Sequence, residues 1–147
     1  MKAIIFIGIQ ASGKTSFFKQ EMEKDGFVHI SMDIIGNRNK EKHLILDCIA
    51  AGKDFVIDNT NPTRAERRRY LDLLEGSGYE VSGYFFQSRV KDCMKRNRER
   101  GGSVPPKAIA ATSNKLEMPS FAEGFDILKY ICITENGFSI SDWEEQL

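Results

Sequence analysis

The strongest constraint on the fold of this chain is a glycine-rich segment near its start. Residues 3–7 are a continuous apolar run rich in β-branched side chains, which is typical of a strand buried on both faces of a parallel sheet. The run leads directly into Gly8-Ile9-Gln10-Ala11-Ser12-Gly13-Lys14-Thr15, and residues 14–24 then suit a helix. A glycine turn between strand and helix gathers backbone N–H groups at the positive end of the helix, where phosphate groups bind.

The spacing of this segment fits the P-loop pattern GxxxxGK[ST], and its context makes a chance match improbable. It predicts binding of a nucleoside triphosphate, most simply ATP with Mg²⁺. Lys14 is expected to reach the β- and γ-phosphates, and the Thr15 hydroxyl is expected to bind Mg²⁺. The predicted ATP-binding residues of the loop are Gln10, Ala11, Ser12, Gly13, Lys14, Thr15 and Ser16.

Strands and helices alternate along the rest of the chain. Further strands are predicted at 27–30, 55–57, 81–86 and 128–133, and helices at 39–51, from Pro62 to Leu74, at 89–100 and after Pro105-Pro106. This alternation predicts an α/β fold, a P-loop three-layer α/β/α sandwich with a five-stranded parallel sheet. The turn Asn136-Gly137 is typical of a hairpin, so residues 138–140 are expected to pair back on the last strand.

Length and composition indicate one globular domain over residues 1–147. Apolar residues make up 41% of the chain and charged residues 29%. The 21 basic and 21 acidic residues cancel, which argues against a protein that coats nucleic acid by bulk charge. Three widely spaced cysteines and the lack of an apolar stretch of roughly 20 residues favour a cytoplasmic protein with reduced thiols and no membrane span. No obligate protein partner is evident.

Two aspartates follow predicted strands, at the edge of the sheet where ligands bind in such folds. Asp33 comes just after the second strand and can accept a proton from, or align, an acceptor hydroxyl. The alternative is that it only caps a helix or is a surface aspartate. Asp58 ends the third strand after three apolar residues, the Walker B pattern. It either holds Mg²⁺, directly or through water, or only hydrogen-bonds Thr15 or the turn at residues 59–61.

A basic segment precedes a flexible joint. Residues 89–100 contain six basic and two acidic side chains, and Arg96, Arg98 and Arg100 lie just before Gly101-Gly102. This arrangement favours a small helical lid, at approximately residues 96–118, whose arginines bind ATP and stabilise the transferring phosphoryl group. The alternative is a solvated helix face with no role in catalysis.

Three further segments carry a family resemblance. They are Asp58-Asn59-Thr60-Asn61-Pro62 with Arg67 and Tyr70, Arg96-Asn97-Arg98-Glu99-Arg100-Gly101 with Val104-Pro105, and residues 118–125, MPSFAEGF. Together with the P-loop and Asp33, they resemble the kinase domain of polynucleotide 5′-hydroxyl kinases. The resemblance implies transfer of the ATP γ-phosphate to a 5′-hydroxyl of DNA or RNA, with Asp33 as general base. It also implies that Lys14 and a lid arginine, Arg100 or next Arg96, act on the phosphates.

The chain departs from the family pattern in places. Met32 stands where relatives often have an arginine, Arg38 is the nearby candidate to hold an acceptor phosphate, and no DxDGT phosphatase motif is present. The acceptor-binding residues expected from the resemblance are Asp33, Arg38 and Asn59. Two other functions stay open: a kinase for a small metabolite or nucleoside, and an ATP-binding regulatory module with little turnover.

Overall fold

A computed structural model describes residues 1–144, and residues 145–147 lie outside the described part. The strands are β1 Lys2–Ile7, β2 Val28–Ile30, β3 Phe55–Ile57, β4 Glu80–Phe86, β5 Ile127–Thr134 and β6 Gly137–Asp142. They form one six-stranded sheet in the order β2-β3-β1-β4-β5-β6. The first five strands run parallel and β6 pairs antiparallel with β5, so the predicted parallel sheet and its C-terminal hairpin are confirmed.

The helices are α1 Lys14–Phe17, α2 Met32–Ile35, α3 Arg38–Ala51, α4 Arg64–Leu74, α5 Val90–Glu99 and α6 Pro106–Lys115. Helix α4 begins after Pro62 because Thr63 caps it. The Thr63 hydroxyl accepts from Glu66 N, and the Glu66 carboxylate accepts from Thr63 N. This reciprocal capping box satisfies two N–H groups that would otherwise lack partners at the start of the helix.

Two local features differ from the sequence-based expectation. The segment predicted as one helix over 14–24 is helical, but α1 continues as a π-helix at Phe18–Met22 and a 3₁₀ turn at Glu23–Asp25. The short helix α2 was not predicted, because four residues ended by Gly36 are too few to show helical periodicity.

The sheet lies between two layers of helices, which confirms the three-layer sandwich. One face packs against α3 and α4 through Ile45, Cys48, Tyr70, Leu71 and Leu74. The other face packs against the α1 segment through Phe17, Phe18 and Met22. A third apolar cluster of Ile9, Cys93 and Ile109 joins the P-loop to α5 and α6. The fold therefore brings the loop, the end of β1 and the two C-terminal helices together.

The hairpin of β5 and β6 contacts the P-loop at Gly13. Gly13 has φ +99°, a conformation that only glycine adopts without strain. A Cβ atom there would also lie 2.9 Å from Ile133 Cδ1 and 3.1 Å from Phe138 Cε1. Glycine is therefore required at this position both for its backbone conformation and for the space that the hairpin leaves.

Candidate active site

Most of the predicted site residues meet in one cavity of about 350 Å³ at the carboxyl ends of the parallel strands. Its lining includes Gln10, Ala11, Gly13, Lys14, Thr15, Ser16, Asp33, Arg38, Asp58, Asn59 and Arg100. Two predicted residues do not line it. Ser12 is buried within the P-loop, and Arg96 contacts the loop from its outer side.

The backbone of the P-loop is constrained at its start and at its tip. A Cβ atom on Gly8 would lie 2.8 Å from Ser12 Oγ and 3.0 Å from Phe86 Cβ, so the loop closes against β4 only because Gly8 has no side chain. At the tip, Ala11 has φ 63°, in the left-handed region that costs a non-glycine residue roughly 1–2 kcal/mol. Strain of this kind persists where the surroundings fix the backbone, as they do at ligand-binding loops.

Lys14 is buried against the loop that it follows. Its Nζ donates to the carbonyl oxygens of Gly8 at 2.9 Å and Ile9 at 2.8 Å. Burial lowers the pKa of Lys14 to about 8, although the nearby Asp58 carboxylate opposes that shift. A dianionic or trianionic phosphate in the cavity would favour the charged ammonium, because it brings a strong negative charge close to Nζ.

Thr15 and Asp58 are paired at the floor of the cavity. Thr15 Oγ1 donates to Asp58 Oδ2 at 2.8 Å. This is the hydrogen bond to Thr15 that was expected as the alternative to a metal-binding role of Asp58. A hydroxyl and a carboxylate side by side fit Mg²⁺, which prefers oxygen ligands and completes its shell with phosphates and water. Within residues 1–144 no cluster of three or more His, Cys, Asp or Glu could bind a metal ion alone. This donor set suits a metal shared with a nucleotide.

His29 is a member of the site that sequence reasoning missed. It lies in β2, and its Nε2 is 2.8 Å from the same Asp58 Oδ2 that Thr15 contacts. Its ring stacks on Phe18, with centroids 4.1 Å apart and planes at 13°. A single histidine in a short strand gave no signal, because its partner is 29 residues away in the sequence.

Asp33 is exposed in the first turn of α2, and this helix is anchored by Asn59. The Asn59 Oδ1 accepts from Met32 N at 2.9 Å. The Asn59 amide is also engaged, because its Nδ2 donates to Glu41 Oε2 at 2.9 Å and lies 3.1 Å from the Tyr70 hydroxyl. Asn59 therefore lines the cavity and fixes the start of the helix that carries Asp33.

Arg38 is held at the cavity by two buried partners. Its Nη1 donates to Glu41 Oε1 at 3.0 Å and to the Tyr70 hydroxyl at 2.8 Å. Glu41 and Tyr70 are each only 1% exposed. Burial, aided by the Glu41 charge, raises the pKa of Tyr70, so its hydroxyl keeps its proton and donates to Glu41. Half of the Arg38 side chain remains exposed to meet an anion.

The predicted lid arginines differ in position. Arg96 Nη1 donates to the strained Ala11 carbonyl at 3.1 Å, whereas Arg100 lines the cavity and Arg98 is exposed away from it. The basic helix therefore presents two arginines to the loop and cavity. Helix α6 reaches the loop as well, because Gln10 Nε2 donates to Thr112 Oγ1 at 3.0 Å.

Arg67, one of the residues that carry the family resemblance, lies outside the cavity. It is completely buried and makes a bidentate pair with Glu123, at 2.8 and 3.1 Å. Its Nη1 also donates to the carbonyl oxygens of Asn61 and Glu117. Arg67 thus binds the segment around residues 117–123 to α4 and supports the turn that follows Asp58.

Comparison with known proteins identifies the family of the chain. The AAA domain family model matches residues 4–119. The chain is 23% identical over 127 residues to the bifunctional polynucleotide phosphatase/kinase of Schizosaccharomyces pombe, covering 83% of this chain and 31% of that protein. It is 27% identical over 136 residues to the putative bifunctional polynucleotide phosphatase/kinase of Acanthamoeba polyphaga mimivirus, covering 87% of this chain and 32% of that protein. The chain thus spans about a third of the length of these curated relatives.

The fold agrees with that of solved structures. A gluconokinase from Sinorhizobium meliloti superposes with a TM-score of 0.63 at 18% identity, over 91% of this chain and 83% of the other. No helix within residues 1–144 is long and apolar enough to cross a bilayer. From the family match over most of its length, the sheet order and the geometry of the phosphate-binding loop, the chain belongs to the AAA domain family and has the fold of a P-loop kinase.

Proposed function

We propose that this protein is an ATP-dependent kinase that transfers the γ-phosphate of ATP to the 5′-hydroxyl of a DNA or RNA strand. The observation that carries the proposal is that one cavity holds both the phosphate-binding loop and a pair of acceptor-side groups, Asp33 and Arg38. A protein that only bound nucleotide would need the first set and not the second.

The donor side of the cavity supports binding and polarisation of a triphosphate. The loop N–H groups and the Lys14 ammonium would bind phosphate oxygens, and Arg100, which lines the same cavity, adds positive charge. Thr15 and Asp58 would hold Mg²⁺, which neutralises charge on the phosphate oxygens. Since phosphoryl transfer has a loose transition state, positioning and charge account for most of its catalysis.

The acceptor side supports an alcohol acceptor. The Asp33 carboxylate would align the hydroxyl and take its proton, while the hydroxyl oxygen bonds to the γ-phosphorus. The bond from that phosphorus to the bridging oxygen breaks as the new bond forms, and ADP leaves with that oxygen. The hydrogen bond from Met32 N to Asn59 holds the turn that carries Asp33.

Arg38 favours a nucleic-acid end among possible acceptors. Its guanidinium is fixed by Glu41 and Tyr70 while half of the side chain stays exposed. A guanidinium held in this way suits a phosphate group. The first nucleotide of a strand carries a phosphodiester on its 3′ side, whereas an unphosphorylated sugar or nucleoside offers no such anion. The two relatives named polynucleotide phosphatase/kinases agree with this choice.

The experiment that tests the proposal is transfer from γ-labelled ATP to a panel of acceptors. DNA and RNA oligonucleotides with a 5′-hydroxyl should be labelled, and matched oligonucleotides with a 5′-phosphate should not. Labelling should fall as salt is added. Binding of strand phosphates by basic side chains releases counterions from the strand, so added salt weakens that binding. Faster labelling of nucleosides or sugars would identify a metabolite kinase, and ATP binding without any labelled product would identify a regulatory module.

A further inference from the structure

Three contacts link four side chains beside the P-loop. Thr15 bonds to Asp58, Asp58 to His29, and the His29 ring stacks on Phe18. Thr15 and Phe18 belong to the same helical segment. These contacts therefore join β2, the end of β3 and the P-loop helix at the point where Mg²⁺ would bind.

Phe18 lies where the P-loop helix changes from α to π, and π turns are frequent at functional sites. The Phe18 and His29 rings are nearly parallel, so the stack fixes the plane of the imidazole and aims Nε2 at the carboxylate. His29 is therefore restrained by stacking on its face and by a hydrogen bond at its edge.

Asp58 receives both of its hydrogen bonds on a single oxygen. Thr15 Oγ1 and His29 Nε2 each lie 2.8 Å from Oδ2, which leaves Oδ1 for a metal ion or its bound water. Because a carboxylate only accepts, Nε2 of His29 must carry the hydrogen of this bond. The carboxylate of Asp58 is buried, so without this donor it would lose a partner and gain rotational freedom.

We infer that His29 is a positioning residue for the magnesium site, which holds the Asp58 carboxylate in its metal-binding orientation. Groups that hydrogen-bond a metal ligand typically affect metal affinity or activity 10–100-fold. This inference rests on nucleotide–magnesium binding at the P-loop and not on the identity of the acceptor. A binding experiment without acceptor therefore decides it even if transfer to nucleic-acid ends fails.

The test compares variants that keep or lose the donor. His29→Phe keeps an aromatic ring for the stack and removes the N–H, and His29→Gln keeps an N–H that can reach Asp58. The measurement is ATP affinity by calorimetry, with Mg²⁺ and with a chelator, as a function of Mg²⁺ concentration. His29→Phe should raise by about 10–100-fold the Mg²⁺ concentration at which the enhancement of ATP affinity is half-maximal. The ATP affinity measured in the presence of chelator should stay unchanged. His29→Gln should restore most of the magnesium response.

Two further outcomes keep the inference open to refutation. An unchanged magnesium response in folded His29→Phe would overturn the inference and leave His29 as a packing residue. Equal losses of the magnesium response in His29→Phe and His29→Gln would overturn it as well. Should His29→Phe fail to fold, His29→Leu also lacks the donor and carries the same expectation. In an Asp58→Asn background the His29 substitution should add no further change in the magnesium response, and an additive change would contradict the coupling.

Discussion

The donor and acceptor halves of the cavity differ in how deeply their charged groups are buried. On the donor half, Lys14 is 8% exposed and Asp58 is 5% exposed, and both are bonded to the P-loop segment. On the acceptor half, Asp33 and Arg38 are exposed, and Ile34 between them is 73% exposed. The donor half is thus pre-formed within the core, whereas the acceptor half is a surface that a few buried groups hold from behind.

This difference fits the chemistry of the two proposed ligands, ATP and the 5′ end of a strand. A triphosphate is the same in every turnover, so a rigid cradle that excludes water is an advantage. The end of a strand is attached to a polymer of variable sequence and must enter and leave through an open side. The comparison predicts that loss of a buried donor-side group nearly abolishes transfer, whereas loss of a group that supports the acceptor side from behind mainly weakens acceptor binding.

The largest effect is expected from Lys14→Ala. Loss of the ammonium removes both a phosphate contact and charge stabilisation in the transition state, so single-turnover transfer should fall by about 10³–10⁵-fold. Lys19→Ala, at an exposed position on the same helical segment, is the matched control and should transfer at the wild-type rate. Transfer by Lys14→Ala at the wild-type rate would refute the assignment of the P-loop.

Asp33→Asn should come next. It keeps the shape of the side chain and removes the base, so turnover should fall by about 10²–10⁴-fold while ATP affinity stays unchanged. A loose transition state needs little help from a base, which favours the lower end of this range. The control is Asp47→Asn, at an exposed position on α3. If Asp33→Asn instead loses ATP binding and keeps transfer at saturating ATP, Asp33 is a nucleotide ligand.

Arg100→Ala tests whether the basic helix contributes to the donor half. Removal of its charge from the cavity wall should lower turnover by about 10–100-fold and weaken ATP binding, because a partly exposed arginine stabilises phosphate charge less than a buried one. Arg98 is two residues away, exposed and outside the cavity lining, so Arg98→Ala is a close control. Equal behaviour of the two variants would mean that the helix is only a solvated face.

The smallest effect is expected from Tyr70→Phe, which removes the hydroxyl that bridges Arg38, Glu41 and Asn59. A hydrogen bond of roughly 1 kcal/mol corresponds to an increase of about 3–10-fold in the KM for acceptor, with ATP affinity unchanged. Tyr79→Phe is the control, because it also removes a tyrosine hydroxyl. The hydroxyl of Tyr79 contacts the carbonyl oxygens of Cys48 and Lys53 and not the groups that hold Arg38. A change in ATP affinity in Tyr70→Phe would show that the two halves are not independent.

The parts of the structure that could be predicted are those marked by a pattern of neighbouring residues in the sequence. The strands are apolar runs, the P-loop has a fixed spacing, and Asp33 and Asp58 directly follow strands, so their place at one edge followed from the topology of parallel sheets. The predicted roles of these two aspartates stay predictions.

The parts that were missed depend on contacts between distant residues. His29 and Asp58 are 29 residues apart, and Glu41 and Asn59 are 18 apart. Nothing in the local pattern distinguishes Glu41 from a solvated helical acid, yet it is one of the most buried charged groups. The π-helix at Phe18–Met22 was missed for a similar reason, because its apolar residues also fit an ordinary helix.

The contact of Gly13 with Ile133 and Phe138 has a consequence for biosynthesis. The phosphate-binding loop is translated about 120 residues before the hairpin that packs against it. The central strand β1 waits as well, because its neighbours are β3 and β4, with Ala3 opposite Phe55 and Lys2 opposite Glu80. A nascent chain stalled before the hairpin would leave β4 without its neighbour β5 and the loop without its packing surface, a state open to aggregation and a substrate for chaperones. The loop therefore reaches its native packing only after residue 138 has left the ribosome.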